Sequence, residues 1–127
     1  MAVTYGMPTL LETKTIADCA ALCCELGLDF VELNMNLPQY QAEKIDVAEF
    51  AETAKQSGIF YTIHLDENLN PCDFNERVAE AYTAAVLRTI ELAARLSVPV
   101  LNMHLSAGVY FRTRRFFCST SMRMFII

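Results

Sequence analysis

The two histidines of this 127-residue chain lie in two stretches of the same design. Residues 59–67 read Ile-Phe-Tyr-Thr-Ile-His-Leu-Asp-Glu, with His64 near the end. In 98–106, Asn102, His104 and Ser106 alternate with Leu101, Met103 and Leu105. An imidazole can exchange a proton or hold a hydrogen bond near neutral pH, and these two arrive at about the same level. A third stretch, 29–35, sets Phe30, Glu32 and Asn34 against Val31, Leu33 and Met35. Successive strand side chains point to opposite faces. One face of three consecutive strands therefore gathers Glu32, Asn34, Thr62, His64, Asp66, Asn102 and His104. Asn34, Asp66 and Asn102 can bind hydroxyls or complete hydrogen bonds at strand ends, the second being the simpler role. Asp66 with Glu67 resembles a pair that attracts metal, although such a pair at a strand-to-loop junction is more often solvated.

The elements that must position these groups are legible from punctuation and periodicity. β-branched and aromatic residues fill 59–67, which follows Gly58 and precedes a loop from Asn68 to Pro71. A first strand fits residues 3–11, interrupted by Gly6 and Pro8. Thr15 with Asp18 starts a helix to about Leu26, with Ile16, Cys19, Ala20, Cys23 and Leu26 on one face and Gly27 as its stop. Asp46 with Glu49 starts a second helix that points Val47, Phe50, Ala51 and Ala54 inward and stops at Gly58. Asp73 with Glu76 caps a third helix to Leu96, with Phe74, Val78, Ala81, Ala85, Leu92 and Leu96 as core positions. Strand and helix thus alternate through four strands, with helices long enough to cross between parallel neighbours, which makes an α/β class. Central strands of a doubly wound sheet are apolar on both faces. The polar face of three strands instead favours a (β/α) barrel with a polar mouth.

Composition narrows the field further. The chain is one domain's worth of sequence, and a hydrophobic fraction of 54% argues against disorder. Neither a targeting segment nor a run of about 20 uncharged apolar residues is visible, and the reading is cytoplasmic. The cysteines, at 19, 23, 24, 72 and 118, are odd in number and lack paired CxxC knuckles, so packing is expected of them. Residues 1–111 hold all 15 acids and six bases, a formal charge of -9, while 112–127 hold four arginines and no acid. An acidic body grips a phosphodiester backbone poorly, so no nucleic acid is expected as a partner.

Three phrases carry a resemblance: Glu25-Leu-Gly-Leu-Asp-Phe-Val-Glu-Leu33, Ser57-Gly-Ile-Phe-Tyr-Thr-Ile-His-Leu65 and Ile90-Glu-Leu-Ala-Ala-Arg-Leu-Ser-Val-Pro-Val-Leu-Asn-Met-His104. In this order and spacing they resemble the first half of the xylose isomerase-like TIM barrels, a superfamily of sugar phosphate isomerases, epimerases and endonuclease IV-type abasic-site nucleases. The likeness covers residues 3–111 and implies a partial (β/α)8 barrel of about four parallel strands and three helices. A complete barrel needs eight strands and about 250 residues. The reversed charge of 112–127, with neither helix nor strand pattern, marks an atypical basic segment, read as the product of a shifted or interrupted reading frame, with a genuine basic tail as the alternative.

In the nuclease branch of that superfamily, histidines ending strands three and four bind zinc. The resemblance therefore makes His64 and His104 candidate metal ligands, on strands about 4.8 Å apart. In the isomerase and epimerase branch the divalent ion, Mn, Mg, Co or Zn, is held from strands five to eight, and the two histidines would contact substrate or support the site. The inward Glu32 is the candidate catalytic carboxylate, with an orienting role preferred to general-base work because a buried carboxylate needs a partner. Asn34, Asp66 and Asn102 are the candidate substrate-binding residues. Moving a proton or hydride beside the carbonyl of a sugar or sugar phosphate is the leading implied activity, with no turnover expected of this chain alone. A zinc nuclease is second, disfavoured by acidity and by Leu105-Ser106 where that branch has proline and glycine. A non-catalytic half barrel, with or without metal, is third. Its exposed first and fourth strands would allow a homodimer, and no membrane partner is implied.

Overall fold

Thr15 and Asp18 cap each other at the first helix in the computed structural model, which describes residues 3–104, 110–112 and 117–119. The Asp18 amide donates to the Thr15 hydroxyl and the Thr15 amide to the Asp18 carboxylate, each at 3.1 Å. Two donors that a helix start leaves orphaned are thereby paired. Helix α1, Ile16–Glu25, buries Ile16, Cys19, Ala20 and Cys23. Leu26 leaves the expected stripe because it is the cap that ends the helix, and its side chain is 59% exposed.

Asp46 caps helix α2, Val47–Ser57, by accepting from the Ala48 and Glu49 amides. Phe50 is its buried residue, while Ala51, expected inward, is exposed. Helix α3, Glu76–Arg95, starts two residues later than Asp73 suggests. Asn75 is the cap and accepts from the Arg77 amide, and Asp73 accepts from the Asn75 amide. Phe74 is left ahead of the helix, half exposed, and Ala81 is exposed too. The buried positions, Thr89, Leu92 and Ala93, all lie in the second half of α3.

Between these helices run β1 (Gly6–Pro8), β2 (Phe30–Asn34), β3 (Phe60–His64) and β4 (Leu101–Asn102). They form one parallel sheet in the order β1-β2-β3-β4. Successive crossovers that each add the next strand on the same side keep their helices on one face, because such crossovers are right-handed. That growth in one direction is how a barrel begins, whereas a doubly wound sheet reverses. Four parallel strands and three helices thus make a partial TIM barrel. A 3-10 turn, Pro38–Tyr40, lies in the loop after β2.

The core lies between sheet and helices. Val31, Leu33, Ile63 and Leu65 are fully buried on the helix-facing parity, against Cys19, Ala20 and Cys23 of α1. Tyr61 joins them and donates its hydroxyl to the Phe50 carbonyl at 3.0 Å. Cys19 and Cys23 are packing residues as expected; Cys24 is exposed, and its thiol reaches the Ser57 carbonyl. On the other parity, Phe30 stacks on Phe60 with ring centroids 5.2 Å apart.

All three helices end with an amide bonded to the carbonyl five residues back: Leu28 to Cys23, Ile59 to Ala54 and Val98 to Ala93. Such endings require a left-handed residue. Gly27 and Gly58 supply it at φ 67°, but α3 uses Ser97 at φ 54°. A side chain there is strained, so Ser97→Gly is expected to raise stability by about 0.5 to 1 kcal/mol, read as a higher urea midpoint.

Two further strands, β5 (Tyr110–Arg112) and β6 (Phe117–Ser119), pair antiparallel as a separate sheet. β6, Phe-Cys-Ser, lies in the segment expected to lack strand pattern and corrects that expectation. The rest of the basic tail, 113–116 and 120–127, lies outside the described residues, as do Leu105 and Ser106. Among the described residues no helix is long and apolar enough to cross a membrane.

Candidate metal centre at the C-terminal end of the sheet

Parallel pairing brings the strand ends into register. Asn34 is level with His64, and His64 with Asn102. His104 follows two residues later on the same parity. The two rings meet with centroids 5.0 Å apart at 61°, and their Nε2 atoms lie 3.2 Å from each other.

The tautomer of His64 follows from its other nitrogen. Nδ1 lies 2.9 Å from the Leu65 carbonyl, which can only accept. Nδ1 therefore carries the proton, and the neutral ring presents a lone pair at Nε2, the form a metal requires. Without an ion, Nε2–H of His104 donates to that lone pair. With one, two nitrogens bound tetrahedrally at about 2.0 to 2.1 Å sit about 3.3 to 3.4 Å apart. The observed 3.2 Å is close to that spacing, so the residues fit a divalent ion.

A carboxylate stands beside the pair. The ligand atoms of His64, Glu67 and His104 all lie within 4.8 Å of one another, His64 being half-buried and the other two exposed. Deeper in the mouth, Nδ2 of Asn102 donates to Oε2 of Glu32 at 3.0 Å. Glu32, His64, Asn102, Met103 and His104 line an open recess of about 320 Å³. Thr62, level with Glu32, is buried on the same face, and its hydroxyl has no hydrogen-bond partner among the described residues.

Of the residues singled out in the sequence, the fold brings Glu32, His64, Asn102 and His104 together. Asn34 is used locally, its Oδ1 accepting from the amide and side chain of Asn36. Asp66 corrects the expected parity. β3 ends at His64, so alternation no longer applies two residues on. Its carboxylate turns the following loop by accepting from the Asn68 amide, and Asp66 lines a different recess with Met35, Glu43 and Arg88. Glu67, on the opposite parity by counting, is the acid that reaches the imidazoles. Its sequence signal was its place three residues after His64.

Residues 20–121 match the family model described as xylose isomerase-like TIM barrel. The chain belongs to this family. The match runs past the boundary drawn at residue 111. No curated protein matches the sequence. Among solved structures, this xylose isomerase-like chain is similar to a D-psicose 3-epimerase crystallised in the presence of D-fructose, with TM-score 0.64 and 19% identity over 80% of this chain and 37% of that one. It is similar to a 3-keto-D-glucoside 4-epimerase from E. coli, with TM-score 0.65 and 17% identity over 79% and 37%. A structure described as AsfvAP:AG gives TM-score 0.59 and 14% identity over 84% and 40%. At these identities the likeness is one of fold. The xylose isomerase-like chain spans about two fifths of the length of these structures.

Proposed function

We propose that the chain is the metal-binding first half of a sugar isomerase or epimerase barrel, with His64 and His104 as ligands. The observation that supports this best is the pair of Nε2 atoms 3.2 Å apart, with His64 held in its ligand tautomer by Leu65. When bound, a Mn, Mg, Co or Zn ion supplies Lewis-acid polarisation of the substrate oxygens. The chain's own residues do the rest. Glu32 holds the Asn102 amide, which leaves the carbonyl oxygen of Asn102 to accept from a sugar hydroxyl. Glu32 lines the same recess, and beyond orienting Asn102 it would be the carboxylate to take a proton beside a substrate carbonyl.

Turnover requires residues that the remainder of a barrel contributes, or a second copy of this chain. Among the described residues β1 and β4 are the edge strands of the four-stranded sheet, and Tyr5 and Val100 beside them are exposed.

Equilibrium dialysis of the full chain against Zn²⁺, Mn²⁺ or Co²⁺ tests the proposal. One ion per chain is expected, bound about 100-fold more weakly after His64→Ala or His104→Ala. With the ion present, D-fructose should raise the melting temperature by linkage. Absence of a stoichiometric ion sinks the metal site, and absence of any sugar effect sinks the substrate class. The zinc nuclease reading is favoured by one observation, that imidazoles rather than carboxylates dominate the site. Binding of an abasic duplex in place of sugar would select it.

A further inference from the structure

We propose that Glu67 is the third ligand of this centre and that Asn36 positions it, an inference that rests on the metal-binding reading above. A family-type third ligand would come from beyond β4. Here the end of β3, the loop after it and the segment just past β4 instead supply two imidazoles and a carboxylate.

Three observations converge on Glu67. Its carboxylate lies within 4.8 Å of the ligand nitrogens of both histidines. Its backbone amide donates to Oδ1 of Asn36 at 3.1 Å. Asn36 is itself tied down, since its Nδ2 donates to Oδ1 of Asn34 at 2.9 Å and its amide donates to the same oxygen at 3.0 Å. Asn34 is the residue level with His64 across β2 and β3. The two asparagines therefore run a short brace from the end of β2 to the backbone of Glu67 and hold the loop over the mouth.

The Leu65 amide ties the chain just after His64 to the Asn102 carbonyl at 2.9 Å, and two residues on the brace fixes the backbone of Glu67. The neighbouring Asp66 differs, with its carboxylate committed to the Asn68 amide and its place in a different recess. Ligands on one ion bonded at about 2.0 to 2.2 Å stand closer than 4.8 Å, so the exposed Glu67 side chain rotates inward on binding. Its carboxylate makes no hydrogen bond or ion pair among the described residues that would oppose the movement. Two neutral nitrogens and one carboxylate suit Zn²⁺ or Co²⁺, while Ca²⁺ and Mg²⁺ prefer all-oxygen shells.

Titration of the full chain with Co²⁺ alone, followed by its visible d–d absorption, tests both assignments. Glu67→Gln is expected to weaken Co²⁺ about 100-fold and to shift the absorption, and Asn36→Ala to weaken it about tenfold. Asn36→Asp keeps an acceptor for the Glu67 amide but loses the Nδ2 donor to Asn34, so it should recover only part of the loss. Glu80→Gln, an exposed acid on α3, should change nothing. If Glu67→Gln binds Co²⁺ like the parent while His64→Ala does not, Glu67 is no ligand and the histidine reading stands. If Asn36→Ala leaves affinity and spectrum unchanged, the brace is refuted. A parent chain that binds no Co²⁺ overturns both this inference and the reading beneath it. Circular dichroism of each variant separates loss of fold from loss of ligand.

Discussion

Leu33→Ala is expected to lower the unfolding free energy by about 3 kcal/mol, within the 2 to 5 usual for truncating a buried leucine. Leu33 is fully buried, and so are Val31 beside it and Ile63 and Leu65 on β3. Deleting its methyl groups removes transfer energy and also leaves a cavity. Register pairs Leu33 with Ile63 in the main chain, so hydrogen-bonded strands hold that cavity open and its walls cannot collapse. Out of a typical total of about 5 to 15 kcal/mol, such a loss is large. A fall in the urea midpoint with an unchanged slope is the expected result. A change below about 1 kcal/mol would mean that the β2 and β3 layer is not the centre of the core.

Alkaline pH is expected to destabilise the chain just as strongly. Burial pushes the thiols of Cys19 and Cys23 above their ordinary value of 9.0, and the phenols of Tyr40 and Tyr61 above 10.0. Each group binds its proton more tightly folded than unfolded. The stability this contributes is complete below the unfolded value and is lost as pH rises from there through the folded value. Loss should begin above about pH 9 with the thiols and steepen above about pH 10 with the phenols. Each group adds up to about 1.4 kcal/mol per pH unit within its window. Urea melts under reducing conditions at pH 7.5, 9.5 and 10.5 measure the trend. Tyr61→Phe should flatten only the upper part, and stability that stays level to pH 10.5 would rule the mechanism out.

Most of the fold was legible because its determinants are local. The exchange between Thr15 and Asp18, the acceptor at Asp46 and the glycines at 27 and 58 each act within a few residues, and the structure uses all of them. The two-residue period of β2 and β3 separated helix-facing Val31, Leu33, Tyr61 and Ile63 from mouth-facing Glu32 and His64. Sequence reasoning failed where a local choice had competitors. The cap of α3 is Asn75 and not the expected Asp73, which moves Phe74 out of the core. The site was half legible for the same reason. Parity carried as far as His64 and then misassigned Asp66, because a period belongs to a strand and the strand had ended. The brace through Asn36 depends on a loop-to-loop contact 31 residues apart, for which no periodic signal exists.

The sheet pairs each strand only with its immediate predecessor or successor, and the two imidazoles that meet at its end are 40 residues apart in sequence. Contacts of that modest separation close at little entropic cost. In a chain emerging from the ribosome, the pair has every strand it needs once residue 104 is free. An ion held by the proposed centre would act as a clasp across those 40 residues.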